Sequence, residues 1–210
     1  MIHEILPVGM LQCNCSIFGD EQSREAIVID PGDDIDNILD ILNRHGLKVM
    51  AIVITHGHID HVAGAARLRA QTGAPVYMNE RDFEQLDLLP TMAAWLGTKT
   101  PERTPVDVQA KEGTVIPLGT AYFHIVETPG HTQGSVSVWI PEENKLVAGD
   151  TLFRDSIGRT DLPGGDSRQI LFSIKTKLMD LPEDAVVIPG HGGQTTIGRE
   201  KQRNPFLRRI

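Results

Sequence analysis

The amino-acid sequence predicts a mixed α/β fold in which two β-sheets pack together and helices cover their outer faces. Three observations support this prediction. Strand and helix patterns alternate in the first half of the chain, a run of strand patterns begins at Tyr122, and a helix pattern followed by a strand pattern closes the second half. The length of 210 residues suits one well-cored domain, so we predict a single domain over residues 1–210.

The first half of the chain contains three strand patterns and two helix patterns. Apolar runs bounded by turn residues predict strands at 26–30, 48–55 and 75–78, of which the second is expected to be buried on both faces. Apolar residues at helical spacing predict one helix from Ile35 to just before Gly46 and another over 62–71, with Gly73 as its stop. Asn79 is placed to cap a short helix after the third strand.

The segment Leu88–Pro105 is predicted to be an irregular excursion that could pass over the functional site. It contains Pro90, Gly97 and Pro101 as well as its final proline, and these residues interrupt regular structure. Two large apolar side chains lie within it: Met92 and Trp95. The sequence leaves open whether they line a substrate pocket or pack into the core.

The second half of the chain is richer in strands. Alternating or continuous apolar runs predict strands at 121–127, 135–140, 145–150 and 185–189, with a turn over 141–144. Ile170, Leu171, Ile174 and Leu178 recur at helical spacing and predict a helix over 167–179, opened by residue 166 or 167. The basic segment after residue 198, "REKQRNPFLRR", is predicted to be solvated.

Composition and charge exclude several classes of function. The formal net charge of −8 disfavours a nucleic-acid partner and leaves a small molecule as the expected substrate. No apolar run approaches the roughly 20 residues that span a membrane, and the N-terminus does not resemble a secretory signal. Cys13 and Cys15, which face one side of a predicted strand, are expected to be reduced core residues. We therefore expect a cytoplasmic protein that binds neither nucleic acid nor membrane.

The segment "THGHIDH" concentrates His56, His58, Asp60 and His61 in a loop that follows a buried strand and enters a helix. Imidazoles and a carboxylate so close together suit zinc, iron or manganese. Loop histidines satisfied by ordinary hydrogen bonds are the alternative, but their density and order count against it. Asp30, which also ends a strand, is expected either to orient a ligand histidine or to be a turn carboxylate.

One loop cannot complete two metal shells, so further ligands are expected elsewhere. Three candidates follow apolar strands directly, each beside small residues: His131, Asp150 and His191. The remaining histidines have ordinary contexts and are expected to be structural: His3, His45 and His124.

The segment "THGHIDH", with "GH", "GD" and "GH" downstream, resembles the metallo-β-lactamase fold superfamily over nearly the whole chain. The segments "GDTLFRDSIGRTDLPGGD" and "PGHGGQTTIGREKQRNPF" are similar to glyoxalase II-type hydroxyacylglutathione hydrolases in their short, single-domain form. The resemblance implies a four-layer αβ/βα sandwich of two mixed sheets flanked by helices, with the metals in a groove along one edge. It also implies that the C-terminal helical domain of the long form is missing.

The same resemblance implies two divalent metal ions per chain, with zinc expected first and iron or manganese as alternatives. It implies the following ligands: His56, His58 and His131 for the first ion, Asp60, His61 and His191 for the second, and Asp150 as the bridge. It further implies attack of a metal-bridging hydroxide, oriented by Asp60, on the acyl carbonyl of a thioester such as S-lactoylglutathione. A thiolate, with a pKa of about 8.5, can leave without a general acid.

Some features of the sequence separate this family from its relatives. Arg159, in "SIGRTD", matches the position where a basic residue meets a glutathione carboxylate in the family, so it is the expected substrate contact. The resemblance to class B β-lactamases is weaker, because some of them have a cysteine at the position of Asp150. Oligomeric state is predicted only as a monomer or small homo-oligomer.

Two alternatives to the thioester hydrolase stay open. The first is a persulfide dioxygenase, which shares "GRTD" and holds one iron at the counterparts of His56, His131 and Asp150. In those relatives an Asp-Tyr pair tends to follow the last histidine, whereas Gly192 and Gly193 follow it here. The second is a non-catalytic metal-binding module of the same fold, which has no need of seven intact ligand candidates.

Overall fold

Two six-stranded mixed sheets form the centre of the protein. The computed structural model describes residues 1–209. The first sheet has its strands in sequence order: β1 (Ile2–Val8), β2 (Cys13–Gly19), β3 (Glu25–Ile29), β4 (Lys48–Val53), β5 (Val76–Met78) and β6 (Val108–Gln109). The second sheet runs in the order β14, β13, β10, β9, β8, β7: β7 (Val115–Leu118), β8 (Ala121–Glu127), β9 (Val136–Ile140), β10 (Lys145–Gly149), β13 (Val186–Pro189) and β14 (Thr195–Thr196). A small hairpin joins β11 (Leu152–Phe153) to β12 (Ser156–Ile157).

Helices cover the outer face of each sheet. Those before the second sheet are α1 (Ile35–His45), α2 (Ile59–Val62), α3 (Ala65–Thr72), α4 (Phe83–Asp87) and α5 (Leu89–Leu96). Those after β12 are α6 (Ser167–Ser173), which continues as a π-helix over Ile174–Leu178, and α7 (Ile197–Arg203). Short 3-10 turns span Glu80–Asp82, Pro141–Glu143 and Leu207–Arg209.

Three apolar layers hold these elements together. The central layer lies between the sheets, where Phe18 and Val53 of the first sheet pack with Phe123 and Val138 of the second. A second layer joins the first sheet to α1–α5, and a third joins the second sheet to α6 and α7. The predicted four-layer sandwich of two mixed sheets with outer helices is confirmed. The prediction of one domain over residues 1–210 stays a prediction, because Ile210 lies outside the described residues.

Most predicted elements are present, with small shifts at their ends. Gly46 and Gly73 end their helices in the left-handed conformation, and the Asn79 side chain accepts a hydrogen bond from the Arg81 amide. Asp166 caps α6 by accepting from the amides of residues 168 and 169. Among the described helices, none is long and apolar enough to span a lipid bilayer.

The prediction of one helix over 62–71 is wrong, because the segment divides into α2 and α3. The interruption lies at Gly64, whose backbone passes close to the loop after β3 and to the start of α1. A Cβ atom at Gly64 would meet Pro31 O and Ile35 Cδ1 at 2.5 Å. The predicted strand over 48–55, which is observed as β4, is also not buried on both faces along its whole length. Met50 is the extra residue of a bulge between β3 and β4, and 39% of its surface is exposed.

The segment Leu88–Pro105 is not irregular throughout, because it contains α5. Pro90 is tolerated since it stands in the first turn, and Gly97 ends the helix in the left-handed conformation. The basic C-terminal segment is not simply solvated either. It forms α7, and Glu200 and Asn204 are fully buried.

Candidate metal centre

The predicted ligand residues all lie in loops at the carboxyl ends of strands. The loop after β4 carries four of them, the loop after β8 carries His131, and Asp150 and His191 follow β10 and β13. Because the sheets pack face to face, these loops meet at one edge of the sandwich. All seven side chains belong to groups whose ligand atoms lie within 4.8 Å of one another.

The first group consists of His56, His58 and His131, which are all buried. His58 Nδ1 lies 3.1 Å from His56 Nε2 and 3.0 Å from His131 Nε2. His131 Nδ1 must carry the ring proton, because it lies 2.7 Å from the carbonyl oxygen of Arg159, which can only accept. The Nε2 lone pair of His131 is therefore free to face the centre of the group.

A relay of hydrogen bonds fixes His56 in the same way. Its Nδ1 lies 3.2 Å from Thr55 Oγ1, and that hydroxyl donates to Asp30 Oδ2 at 2.7 Å. The hydroxyl therefore accepts from His56 Nδ1, so His56 Nε2 also faces the group as a lone pair. His56 and His131 thus direct two lone pairs towards His58 Nδ1, and a metal ion could bind all three nitrogens, so this group fits a metal ion.

The second group consists of Asp60, His61 and His191. His191 Nε2 lies 3.0 Å from Asp60 Oδ2 and 3.3 Å from His61 Nε2. The outer nitrogen of each ring has a partner, since His61 Nδ1 lies 2.9 Å from Asp30 Oδ2 and His191 Nδ1 lies 3.0 Å from the carbonyl oxygen of Leu11. The structure thus places Asp30 as an orienting partner of His61.

Asp150 lies between the two groups. Its Oδ1 is 3.5 Å from His61 Nε2, and its Oδ2 is 3.6 Å from His131 Nε2 and 3.8 Å from His191 Nε2. Oδ1 is buried without a hydrogen-bond partner among the described residues. A buried carboxylate oxygen without a donor is costly, and a cation at this position removes the cost. Asp150 therefore fits a role as a bridge between two ions.

The electrostatics of the first group favour the uncharged imidazoles that bind metals. Burial, followed by the nearby His131, lowers the pKa of His58 to about 3. Burial, followed by the nearby His61, lowers the pKa of His56 far below its ordinary value. Neutral rings with free lone pairs are the ligand form that metal binding requires.

The carboxylates in and around the second group attract positive charge. Burial opposes ionisation of Asp60, but the facing His61 and His191 lower the pKa of Asp60 below its ordinary range. Burial also opposes protonation of His61, yet the carboxylates around it raise its pKa well above the ordinary value. Burial raises the pKa of the adjacent Cys13 thiol to about 12, so this thiol, 3.5 Å from His61 Nδ1, stays neutral. A divalent ion satisfies the same demand for positive charge.

Both cysteines are buried free thiols, as predicted. Cys13 lies beside the second group, although it is far from the histidine loop in sequence. The pairing of β1 with β2 and the bridge between Cys13 and His191 bring its thiol against His61. Such a contact depends on strand pairing over 48 residues of chain, which the local sequence does not reveal.

Asp82 is a site residue that sequence reasoning missed. Its fully buried carboxylate accepts from the amide of Gly57 at 2.8 Å, between His56 and His58, and from the amide of Gly134 at 2.6 Å. It also accepts from Thr132 Oγ1 at 2.7 Å, next to His131. One side chain thus ties together the two loops that carry the first group. A single aspartate in a 3-10 turn gives no sequence signal of this role.

Gly190 has no side chain at a point where Asp150 and His61 pack directly against its backbone. A Cβ atom at this position would meet Asp150 Oδ1 at 2.1 Å and His61 Cε1 at 2.7 Å. The glycine before the last histidine of the site is therefore required by close packing against the Asp150 carboxylate.

Arg159 lies beside the centre, in a cleft that it lines together with His58 and Asp60. Its guanidinium forms two hydrogen bonds of 2.8 Å with the Asp161 carboxylate. Its backbone carbonyl orients His131, as described above. The side chain is thus near the expected substrate site but is already engaged by a neighbour.

The chain belongs to the metallo-beta-lactamase superfamily, whose family model matches residues 8–191. Among named relatives, it is 37% identical over 206 residues to the hydroxyacylglutathione hydrolase GloC of Haemophilus influenzae, covering 97% of both chains. It is 33% identical to the probable metallo-hydrolase YqgX of Bacillus subtilis, covering 96% of this chain and 95% of the other.

Solved structures agree with this assignment. The chain matches the BLEG-1 B3 metallo-beta-lactamase with a TM-score of 0.91 and 36% identity, covering 98% of this chain and 99% of the other. It matches TTHA1623 in a di-iron-bound form with a TM-score of 0.88 and 36% identity, covering 97% and 100%. It matches ETHE1 of Myxococcus xanthus with a TM-score of 0.82 and 28% identity, covering 98% and 84%.

Proposed function

We propose that the protein is a metal-dependent hydrolase of thioesters, with S-lactoylglutathione or a related hydroxyacyl thioester as substrate. The observation that carries the proposal is the pair of ligand groups joined by Asp150 at one edge of the sandwich. The similarity to GloC supports the choice of thioester. The two ligand groups alone would not select a thioester over other substrates, so both observations are needed.

The ligand roles follow from the two groups. One ion would be held by His56, His58 and His131, the other by Asp60, His61 and His191, with Asp150 between them. Mixed nitrogen and oxygen donors suit zinc, iron and manganese, and we propose zinc as the first choice. Such a pair of ions lowers the pKa of water and polarises a carbonyl oxygen.

The residues of the chain orient the reactants. Asp60, which the facing imidazoles keep ionised, would accept a hydrogen bond from the attacking water and direct it towards the acyl carbon. Asp82 holds the two loops of the first group at a fixed separation, so the ligand atoms are preorganised. The departing thiolate, with a pKa of about 8.5, needs no proton from the protein.

A second candidate is hydrolysis of β-lactams, favoured by the similarity to BLEG-1. Attack of water on a strained cyclic amide requires the same ions and the same carbonyl polarisation. The departing amine, unlike a thiolate, needs a proton, so β-lactam hydrolysis also requires a proton donor at the site.

The first experiment pairs metal content per chain with turnover of S-lactoylglutathione and of a chromogenic β-lactam. About two ions per chain with faster turnover of the thioester would support the proposal. Two ions with β-lactam turnover alone would favour the second candidate. One iron, with oxygen consumed on glutathione persulfide, would contradict both and favour the dioxygenase, whereas bound metal with no turnover of any of the three would favour a non-catalytic module.

Arg159→Ala tests the proposed substrate contact. We expect KM for S-lactoylglutathione to rise about 10-fold with a smaller change in kcat, because a lost hydrogen bond to a charged group costs about 1.5–3 kcal/mol. The backbone carbonyl that orients His131 is retained in the variant. Arg154→Ala, which changes an exposed arginine in the turn between β11 and β12, is the matched control. An unchanged KM would remove Arg159 from the substrate site.

A further inference from the structure

A cleft of about 410 Å³ opens directly beside the metal centre, a volume typical of small-molecule sites. We call it the apolar cleft. Its walls include Leu11 from the β1–β2 turn, Ile59 from α2, Met92, Trp95 and Leu96 from α5, and Leu162. These residues come from four separate parts of the chain, so only the folded structure brings them together.

The apolar cleft begins at the two ligand groups of the metal centre. His58 and Asp60, one from each ligand group, form part of its lining. A thioester whose carbonyl lies at the centre would therefore place one of its two substituents in the apolar cleft.

The rim of the apolar cleft exposes large apolar side chains. Trp95 is 64% exposed and Leu11 is 43% exposed, and Met10, at 67%, lines the pocket next to it. Contiguous apolar surface of this kind is characteristic of binding sites. Its position beside the metal centre indicates that the ligand it serves is the substrate.

The lining of the apolar cleft contains few charged groups. The Arg159 guanidinium, the proposed contact for a glutathione carboxylate, is exposed and pairs through two hydrogen bonds with Asp161. The other charged group of the lining, Asp60, repels carboxylates and is committed to the centre. Most of the recognition energy available here therefore comes from apolar surface.

We propose that the apolar cleft binds a hydrocarbon substituent of the thioester, so that thioesters carrying one are better substrates than S-lactoylglutathione. This inference rests on the proposed function. The substituent is either the acyl chain or the thiol portion, and both have the same chemistry in the cleft. Each buried methylene then raises kcat/KM by about 3- to 4-fold until the cleft is full.

The test uses the metal-loaded protein and two series of substrates. One series lengthens the acyl chain from acetyl to hexanoyl on glutathione, and the other lengthens an alkyl thiol from ethyl to hexyl on an acetyl group. A rise of about 3- to 4-fold per methylene in either series supports the inference and assigns the side. If kcat/KM does not depend on chain length in either series while S-lactoylglutathione is hydrolysed, the inference is overturned and the proposed function still stands.

A variant pair locates the effect. Trp95→Ala removes exposed apolar surface from the apolar cleft without disturbing the core, whereas Phe172→Ala removes a side chain of 62% exposure on α6, outside the cleft. We expect Trp95→Ala to lower kcat/KM for the six-carbon thioester of whichever series depends on chain length about 10-fold more than for S-lactoylglutathione. The Phe172→Ala control should leave the ratio of kcat/KM for the six-carbon thioester to kcat/KM for S-lactoylglutathione unchanged. Equal ratios in both variants would overturn the assignment to this cleft.

A binding measurement separates the inference from turnover. S-alkylglutathione thioethers, which cannot be hydrolysed, carry the alkyl chain where a thioester carries its acyl chain. We expect Kd to fall from S-methyl to S-hexyl in the wild type, with a smaller fall in Trp95→Ala. If this holds while no thioester is hydrolysed, the apolar cleft stands and the proposed reaction is wrong. If neither binding nor turnover depends on chain length, the inference is wrong.

Discussion

Asp150 is the residue that would join the two ligand groups, because its Oδ1 faces His61 and its Oδ2 faces both His131 and His191. We expect Asp150→Ala to reduce bound metal and to lower thioester hydrolysis at least about 100-fold, the upper end of what loss of an outer partner costs a metal site. Circular dichroism should show a folded protein, since the change also removes a buried carboxylate oxygen without a donor. Metal content by mass spectrometry and turnover are the measurements.

His45→Ala provides the control for Asp150→Ala. His45 also approaches a carboxylate, with Nε2 2.9 Å from Glu4 Oε1, but at the surface end of α1. We expect this variant to retain metal and activity. Full activity in Asp150→Ala would contradict the bridging role.

Asp82 supports the site without belonging to either ligand group. In Asp82→Asn, the amide nitrogen must face one of three donors that the carboxylate now satisfies: Gly57 N, Gly134 N and Thr132 Oγ1. Because this donor is buried, we expect the free energy of unfolding to fall by about 1–3 kcal/mol. Urea unfolding measures it.

A structural defect alone would leave the metal affinity of folded Asp82→Asn unchanged, so titration of metal into the folded protein is the second readout. We expect weaker binding, because the loops that carry His56 and His131 lose their common partner. Asp87→Asn, at an exposed carboxylate that pairs with Arg103, is the matched control and should alter neither quantity. Unchanged metal affinity in Asp82→Asn would limit Asp82 to a role in stability.

At the scale of elements, the loop after β13 offers a closely matched pair of glycines. A Cβ atom at Gly190 would meet Asp150 Oδ1 at 2.1 Å, whereas one at Gly193 would meet nothing within 4 Å. We expect Gly190→Ala to displace the bridging carboxylate and weaken metal binding about 10- to 100-fold. Gly193→Ala should bind metal as the wild type does. Equal affinities in the two variants, measured by competition with a chelator, would show that the backbone adjusts.

The elements also show which local patterns were informative. Amphipathic spacing and a terminal glycine predicted α1, because both signals lie within the helix itself. The prolines and glycine of Leu88–Pro105 suggested an irregular segment, yet Pro90 occupies the one turn of α5 where proline costs little. The basic tail forms α7 because Glu200 accepts from Thr195 Oγ1, Asp155 N and Asn204 Nδ2, contacts that the tail's charge does not reveal.

At the scale of the whole molecule, Asp107 links stability to pH. Its carboxylate accepts two hydrogen bonds from Arg69 and one from the amide of Val76, so it joins α3 to the edge of the first sheet. The hydrogen bond from Arg69, then that from Val76, lowers the pKa of Asp107 from 3.8 to about 2. A carboxylate with a lowered pKa in the folded state stabilises the protein above its unfolded pKa, and this contribution is lost as pH falls from about 4 to about 2.

We therefore expect Asp107→Asn to lower Tm at pH 7 and the difference in Tm from the wild type to shrink as pH falls below 4. Asp87→Asn serves again as the control, because its carboxylate also pairs with an arginine, Arg103, but the pair is more exposed than Asp107 and Arg69. Thermal unfolding followed by circular dichroism from pH 7 to pH 3 measures the difference. A difference that stays constant over this range would show that the charge of Asp107 is not its source.

The sequence by itself determined the fold class and the candidate ligands, because both depend on short-range patterns. Apolar runs define strands, and "THGHIDH", His131, Asp150 and His191 each stand directly after one. A side chain that follows a buried strand is carried to the edge of a sheet, and the resemblance to the metallo-β-lactamase superfamily implied that the candidate ligands meet in a groove along one edge.

Only the tertiary structure decided what surrounds the ligands. Asp82 joins loops that lie 25 and 52 residues away, the thiol of Cys13 packs against His61, and the apolar cleft combines Leu11, α5 and Leu162. These contacts depend on how the two sheets and their helices pack, and no local periodicity encodes the distance between residues remote in the chain. The chemistry at the centre is therefore set by residue types at strand ends, whereas the positioning of the ligands and the shape of the cleft are set by packing.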